Sequence, residues 1–132
     1  MRFMVARRII IGSHCLITSR IVTDNPGHST DDVMSRMQSA GGVPEENSIK
    51  PISIGDFVFL PLDTVVYPGV TIGDGVVARI GTHLNRDVPP FCLVSGNPMR
   101  IVRKLPIPEE LEAVVGAERY NAYLESHKRI EL

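Results

Sequence analysis

Between residues 54 and 88 apolar side chains return every six residues. Ile54, Leu60, Val66, Ile72, Ala78 and Leu84 hold one position of the repeat. Val58, Thr64, Val70, Val76, Thr82 and Val88 hold another, four places later, with small or β-branched side chains. Turn residues such as Pro68-Gly69 and Asp74-Gly75 lie between. Neither the 3.6-residue period of a helix nor the two-residue period of a strand accounts for this spacing. A period of six is the mark of a parallel β-helix, in which three short faces close one triangular coil.

The count extends upstream. Val5, Ile11 and Ile17 take the inward position, and Ile9, Cys15 and Ile21 the position four later. The expected coils therefore run from about 5 to 22, from 54 to 71 and from 72 to 89. Residues 23–53 break the count with the turn signals Asp24-Asn25-Pro26-Gly27, Gly41-Gly42 and Pro44-Glu45-Glu46. An excursion of that length from a regular scaffold is a place to look for function. Beyond the repeat, Cys92-Leu93-Val94 and Ile101-Val102 read as short strands around a Gly96-Asn97-Pro98 turn. From Pro108 the pattern turns helical, with Glu109, Glu110 and Glu112 near its start and Gly116 weakening its middle. Leu111, Val114, Val115, Tyr120, Tyr123 and Leu124 are the candidates for its apolar face. The chain thus divides into a repeat domain at 1–105, with its excursion at 23–53, and a helical tail at 106–132.

The 132 residues suit one domain. A net charge of −1 offers no electrostatic case for nucleic acid or an acidic membrane. No apolar stretch approaches the roughly 20 residues of a membrane span. Gly12 and His14 interrupt Ile9-Ile10-Ile11 too early for a signal peptide, so a cytoplasmic protein is expected. Cys15 and Cys92 make neither a disulfide framework nor a zinc site, and no histidine pair has metal-ligand spacing. No metal is expected. Three coils bury little surface, and solenoid units need neighbours or caps, so a homotrimer with the terminal helix as a cap is expected.

His28 stands where the rigid coil hands over to the excursion, and histidine is suited to general-base work near neutral pH. Its spacing alone does not separate that role from an ordinary loop histidine. Three blocks change this. They are IGSHCLITSRIVTDNPGH, KPISIGDFVFLPLDTVVYPGVTIGDG and GTHLNRDVPPFCLVSGNPMRIVRK. In this order they resemble the hexapeptide-repeat acyltransferases with a left-handed β-helix, and most of all the galactoside, maltose and cell-surface polysaccharide O-acetyltransferases. The resemblance spans about residues 5–104.

It implies an acetyl-CoA-dependent O-acetyltransferase acting on a sugar or surface-polysaccharide precursor. Transfer would be direct, in a cleft between adjacent subunits of a trimer. His28 would be the catalytic base. Leu62, Ile80, Asn85, Arg86, Arg100 and Arg103 would contact the coenzyme, the arginines being suited to its phosphates. The chain departs from the family at Pro61-Leu62 and Arg79-Ile80, where small residues are usual. That departure supports a second reading, a binding or assembly protein that has lost catalysis. Transfer to an amine on an amino sugar is a third. Ala6-Arg7-Arg8 stands where the galactoside enzymes carry an acidic residue, which points away from their acceptor.

Overall fold

The computed structural model describes residues 1–5, 7–25, 27–39 and 50–132. Ala6, Pro26 and the Gly41-Gly42 and Pro44-Glu45-Glu46 turn signals lie outside them. A short strand, β1 (Arg2–Met4), precedes three coils. The first coil is β2 (Ile9–Ile11), β3 (Leu16–Ile17) and β4 (Ile21–Thr23). The second is β5 (Ile52–Ile54), β6 (Phe59–Leu60) and β7 (Val65–Val66). The third is β8 (Thr71–Ile72), β9 (Val77–Ala78) and β10 (His83–Leu84). Strands of successive coils pair in parallel and build three faces, in the orders β1-β4-β7-β10, β2-β5-β8 and β3-β6-β9. The last of these is extended by β11 (Cys92–Ser95), which pairs parallel with β9, and by β12 (Arg100–Lys104), which turns back antiparallel. These faces are called A, B and C below.

The inward positions from 54 to 88 are filled as the six-residue count predicts. Ile54, Leu60, Val66, Ile72, Ala78 and Leu84 are buried, as are Val58, Thr64, Val70, Val76, Thr82 and Val88. The threonines succeed at an apolar position because each hydroxyl is satisfied three residues back. Thr64 donates to the Pro61 carbonyl at 2.9 Å and Thr82 to the Arg79 carbonyl at 2.6 Å.

The first coil departs from the count. Register pairs Ile17 with Leu60 but Val22, not Thr23, with Val66, so its corner is one residue shorter. Val22 is the fully buried residue and Ile21 is only half-buried. Ser19 fills the shortened corner, its hydroxyl 2.6 Å from that of Thr64. Val5 and Ile11, expected inside, are 55% and 38% exposed, because no further coil covers them in the described residues. Between β4 and β5 the excursion carries a short helix, α1 (Val33–Ser39), which the repeat count does not anticipate. Asp32 begins it by accepting from the Ser35 N–H at 2.9 Å and the Ser35 hydroxyl at 2.8 Å.

The terminal segment forms α2 (Leu111–Val115) and α3 (Ala117–Arg129), broken at Gly116, whose φ of 91° a side chain would strain. Val114 points to solvent and Tyr123 carries the buried face. Rather than closing an open end, α3 is clamped along the corner between faces B and C. There Gly12, Gly55 and Gly73 stack so closely that a Cβ on Gly73 would meet Pro90 backbone nitrogen at 2.6 Å. The stacking is tied by carboxylates. Asp56 accepts from the Ser13 N–H at 2.8 Å, and Asp74 from the Asp56 N–H at 2.7 Å. Arg119 of α3 donates to both Asp56 and Asp74 at 2.8 Å, and the Tyr123 hydroxyl donates to Asp74 at 2.5 Å. The Tyr123 ring meets Phe91 edge-on at 4.8 Å.

This clamp gives the fold two pH limits. The Ser13 N–H and the Arg119 guanidinium hold the Asp56 carboxyl below its ordinary value of 3.8. A depressed acid stabilises the fold above its ordinary pKa and loses that contribution as pH falls through the lowered one. Burial and the Asp74 carboxylate push the Tyr123 phenol from 10.0 up to about 12. A raised phenol stabilises the fold below pH 10 and loses that contribution as pH climbs from there towards 12. Urea unfolding against pH is expected to show both declines. Tyr123→Phe is expected to make the alkaline decline shallower, the buried Cys92 thiol keeping part of it, and to leave the acidic one; an unchanged alkaline limb would refute the assignment.

Candidate functional site

The corner between faces C and A collects three of the seven sequence-predicted site residues. Leu62 and Ile80 occupy it in successive coils, joined by the Gly81 N–H donating to the Leu62 carbonyl at 3.2 Å. They are 61% and 69% exposed, so neither serves the core. One level higher the Arg79 N–H donates to Val94 and the His83 N–H to Gly96, which lays Ser95-Gly96 over the same corner. Arg100 on β12 pairs with Ser95, so its exposed side chain stands at the head of this column. Arg103 pairs with Leu93 and belongs to the outer side of face C.

Asn85 and Arg86 lie at the opposite edge of face A, where its parallel strands end. Register brings Thr23, Tyr67 and Asn85 level at that edge, one step beyond the pairs Val22–Val66 and Val66–Leu84. Arg86 reaches from there to the Met99 carbonyl at 3.1 Å, which ties this edge to the turn before β12. The excursion leaves from the same edge, after Thr23, and carries exposed His28 five residues on.

The base of the excursion is fixed by a buried carboxylate. Asp24 accepts the N–H groups of Arg7 and Arg8 at 2.8 and 2.6 Å, and its own carbonyl accepts from the Lys50 N–H at 3.1 Å. One aspartate therefore holds both the departing and the returning chain. The sequence marked Asp24 only as a turn residue, because its two amide partners lie sixteen and seventeen residues away.

Two further groups complete the surroundings. His83 is half-buried on the outer side of face A, and its Nδ1 lies 2.8 Å from the Tyr67 hydroxyl. Cys92 is buried, and burial pushes its thiol pKa up, which makes it a poor nucleophile. Cys15 is half-buried with Sγ 3.1 Å from the Gly55 carbonyl. Both thiols are free. Among the described residues no group of three or more His, Cys, Asp or Glu side chains converges as a metal site. No described helix is long and apolar enough to cross a membrane.

This arrangement can be set beside known proteins. No family model matches the chain. It is 31% identical over 114 residues to a chloramphenicol acetyltransferase of Agrobacterium fabrum, covering 75% of this chain and 53% of that protein. It is 32% identical over 97 residues to the galactoside O-acetyltransferase of Escherichia coli, covering 74% of this chain and 44% of that protein. A hexapeptide-repeat acetyltransferase of Vibrio cholerae, solved in complex with acetyl coenzyme A, superposes with a TM-score of 0.62 and 37% identity. That match covers 75% of this chain and 50% of the solved one. The chain spans about half the length of the curated relatives it matches. The fold shared with these enzymes is the left-handed parallel β-helix expected from the sequence. By its repeat, its fold and these relatives, the chain belongs to the hexapeptide-repeat acyltransferase family.

Proposed function

We propose that the protein is an acetyl-CoA-dependent O-acetyltransferase that acts on a hydroxyl of a sugar or surface-polysaccharide precursor. The observation that carries this reading is the exposed column of Leu62, Ile80 and Arg100 on one corner. It joins an apolar surface to a guanidinium, which suits a ligand with an aliphatic arm and phosphates. Arg103 and Arg86 add positive charge along the same end of the coil, and Asn85 a neutral hydrogen-bonding side chain. The exposure of Leu62 and Ile80 shows how their bulk is accommodated. They project outward from the corner and leave the coil undisturbed, which favours a retained coenzyme site over a scaffold that has lost it.

In this mechanism His28 takes the proton of the acceptor hydroxyl as its oxygen attacks the thioester carbonyl. The tetrahedral oxyanion then collapses, the carbon–sulfur bond breaks, and coenzyme A leaves as the thiol. General-base assistance of this kind contributes about 10²–10⁴-fold. The excursion that carries His28 leaves face A at the edge opposite the Leu62–Ile80 column. A homotrimer in which the column of one subunit faces the excursion of the next brings them together. The exposed apolar outer residues Leu16 and Phe59 on face C would supply part of the contact. The cytoplasm supplies acetyl-CoA and keeps Cys15 and Cys92 reduced.

Thiol release from acetyl-CoA in the presence of a saccharide panel tests the activity, and sedimentation tests the trimer. Calorimetry is expected to detect coenzyme A binding that Arg100→Gln weakens about tenfold, in line with loss of a charge-assisted contact. No coenzyme binding at millimolar concentration would favour the non-catalytic reading.

A further inference from the structure

We infer that Tyr67 and His83 form the hydroxyl-recognition contact for a saccharide acceptor on the outer side of face A. This rests on the acyl-transfer reading above and assigns its acceptor side. Val65 and His83 pair directly across β7 and β10, so Tyr67 and His83 are diagonal neighbours on one face, within reach of an aromatic side chain. Their rings are 5.7 Å apart and tilted by 58°, and the Tyr67 hydroxyl lies 2.8 Å from His83 Nδ1. Both are half-buried, so the pair is held in place yet open to a ligand.

The position matters more than the bond. His83 sits beside the corner that carries Ile80, and Tyr67 sits at the edge from which the His28 excursion departs. The pair therefore runs across that face to the edge where, in the proposed trimer, His28 meets the coenzyme column of the next subunit. Ile21 and Val65, also half-buried and outward on this face, add an apolar surface next to it.

The chemistry of the pair fits a hydroxyl. When Tyr67 donates to Nδ1 of neutral His83, Nε2 carries the ring proton and becomes a donor, while the Tyr67 oxygen keeps lone pairs to accept. The donor and the acceptor then lie on opposite sides of the imidazole and point apart. Two hydroxyls on non-adjacent carbons of one sugar complement both. The carbon–hydrogen face of the ring has Ile21 and Val65 to rest on. Neither residue is needed as a proton acceptor in the transfer, so the pair determines specificity and leaves the chemistry to His28.

The test uses the full chain with methyl β-galactoside, maltose and N-acetylglucosamine as probes. Tyr67→Phe keeps the ring and removes only the hydroxyl. It is expected to raise the KM of the transferred saccharide about tenfold, while the KM for acetyl-CoA stays within about twofold. In a parallel titration of the wild-type protein, the imidazole ¹⁵N resonances of His83 are expected to shift and saturate with the same saccharide. An unchanged saccharide KM in Tyr67→Phe, or a silent His83, overturns the inference even if acetyl transfer is observed. Saturable shifts at His83 with no turnover of any probe would support the saccharide site and reject the acyl-transfer reading. A changed sedimentation coefficient in Tyr67→Phe would assign the pair to a subunit contact and overturn its acceptor role.

Discussion

Replacing His28 with alanine is expected to lower kcat by about 10²–10⁴-fold, the usual contribution of a positioned general base. The acceptor hydroxyl would then have to lose its proton to water during attack. KM for acetyl-CoA is expected to change little, since the candidate coenzyme residues lie on other elements. His28 is exposed, so the melting temperature should stay within a few degrees, as is usual for surface substitutions. The measurement is thiol release under saturating acetyl-CoA, with thermal unfolding as the control. Turnover at the wild-type rate would remove His28 from the mechanism. The buried Asp24 offers a related comparison, because it fastens both ends of the excursion.

Leu60→Ala is expected to cost about 2–5 kcal/mol, the range for removing a fully buried leucine where the surroundings cannot collapse. Leu60 is 0% exposed and pairs with Ile17 in the coil below. In the coil above, the Phe59–Val77 pairing puts Ala78 level with it, so the deleted volume has a methyl group as its neighbour on that side. The ladder bonds of Thr18 and Phe59, at 2.8 and 2.9 Å, hold the strand spacing and prevent the coils from closing over the gap. Domains of this kind have about 5–15 kcal/mol of stability in total, so the loss is a large part of it. It corresponds to a fall of roughly 8–20 °C in melting temperature. Calorimetry of the purified variant measures it, and a fall of under 2 °C would show that the core relaxes more than a stacked coil should.

The coil was legible because its side chains are dictated locally. Each inward position faces a narrow triangular interior, so the six-residue period survives in the sequence from Ile54 to Val88 whatever lies elsewhere. The reading failed where one residue of loop length was at stake. Ser19, satisfied by Thr64 in the next coil, fills a first corner that is one residue short, and Val22 comes inside where the count expected Ile21. Nothing local to residues 17–22 reveals that, since the partner hydroxyl lies 45 residues away. The same holds for α3. Its helical pattern was plain, but Arg119 and Tyr123 find Asp56 and Asp74 only because two carboxylates eighteen residues apart are stacked in space.

The candidate site divides in the same way. The position of His28 at the end of the first coil, and the arginines after Gly96-Asn97-Pro98, stand in the sequence as interruptions and charges. Which of them share a corner is a matter of register. Leu62, Ile80 and Arg100 come together because strands of successive coils lie side by side about 4.8 Å apart. Tyr67 and His83 meet for the same reason, although sixteen residues separate them and neither belongs to a motif. The sequence by itself determined the period, and through it the coil and the long excursion, because the narrow interior admits few side chains. Only the tertiary structure decided which exposed residues face one another, because the outer positions of a β-helix are unconstrained by the core and acquire their neighbours from the stacking alone.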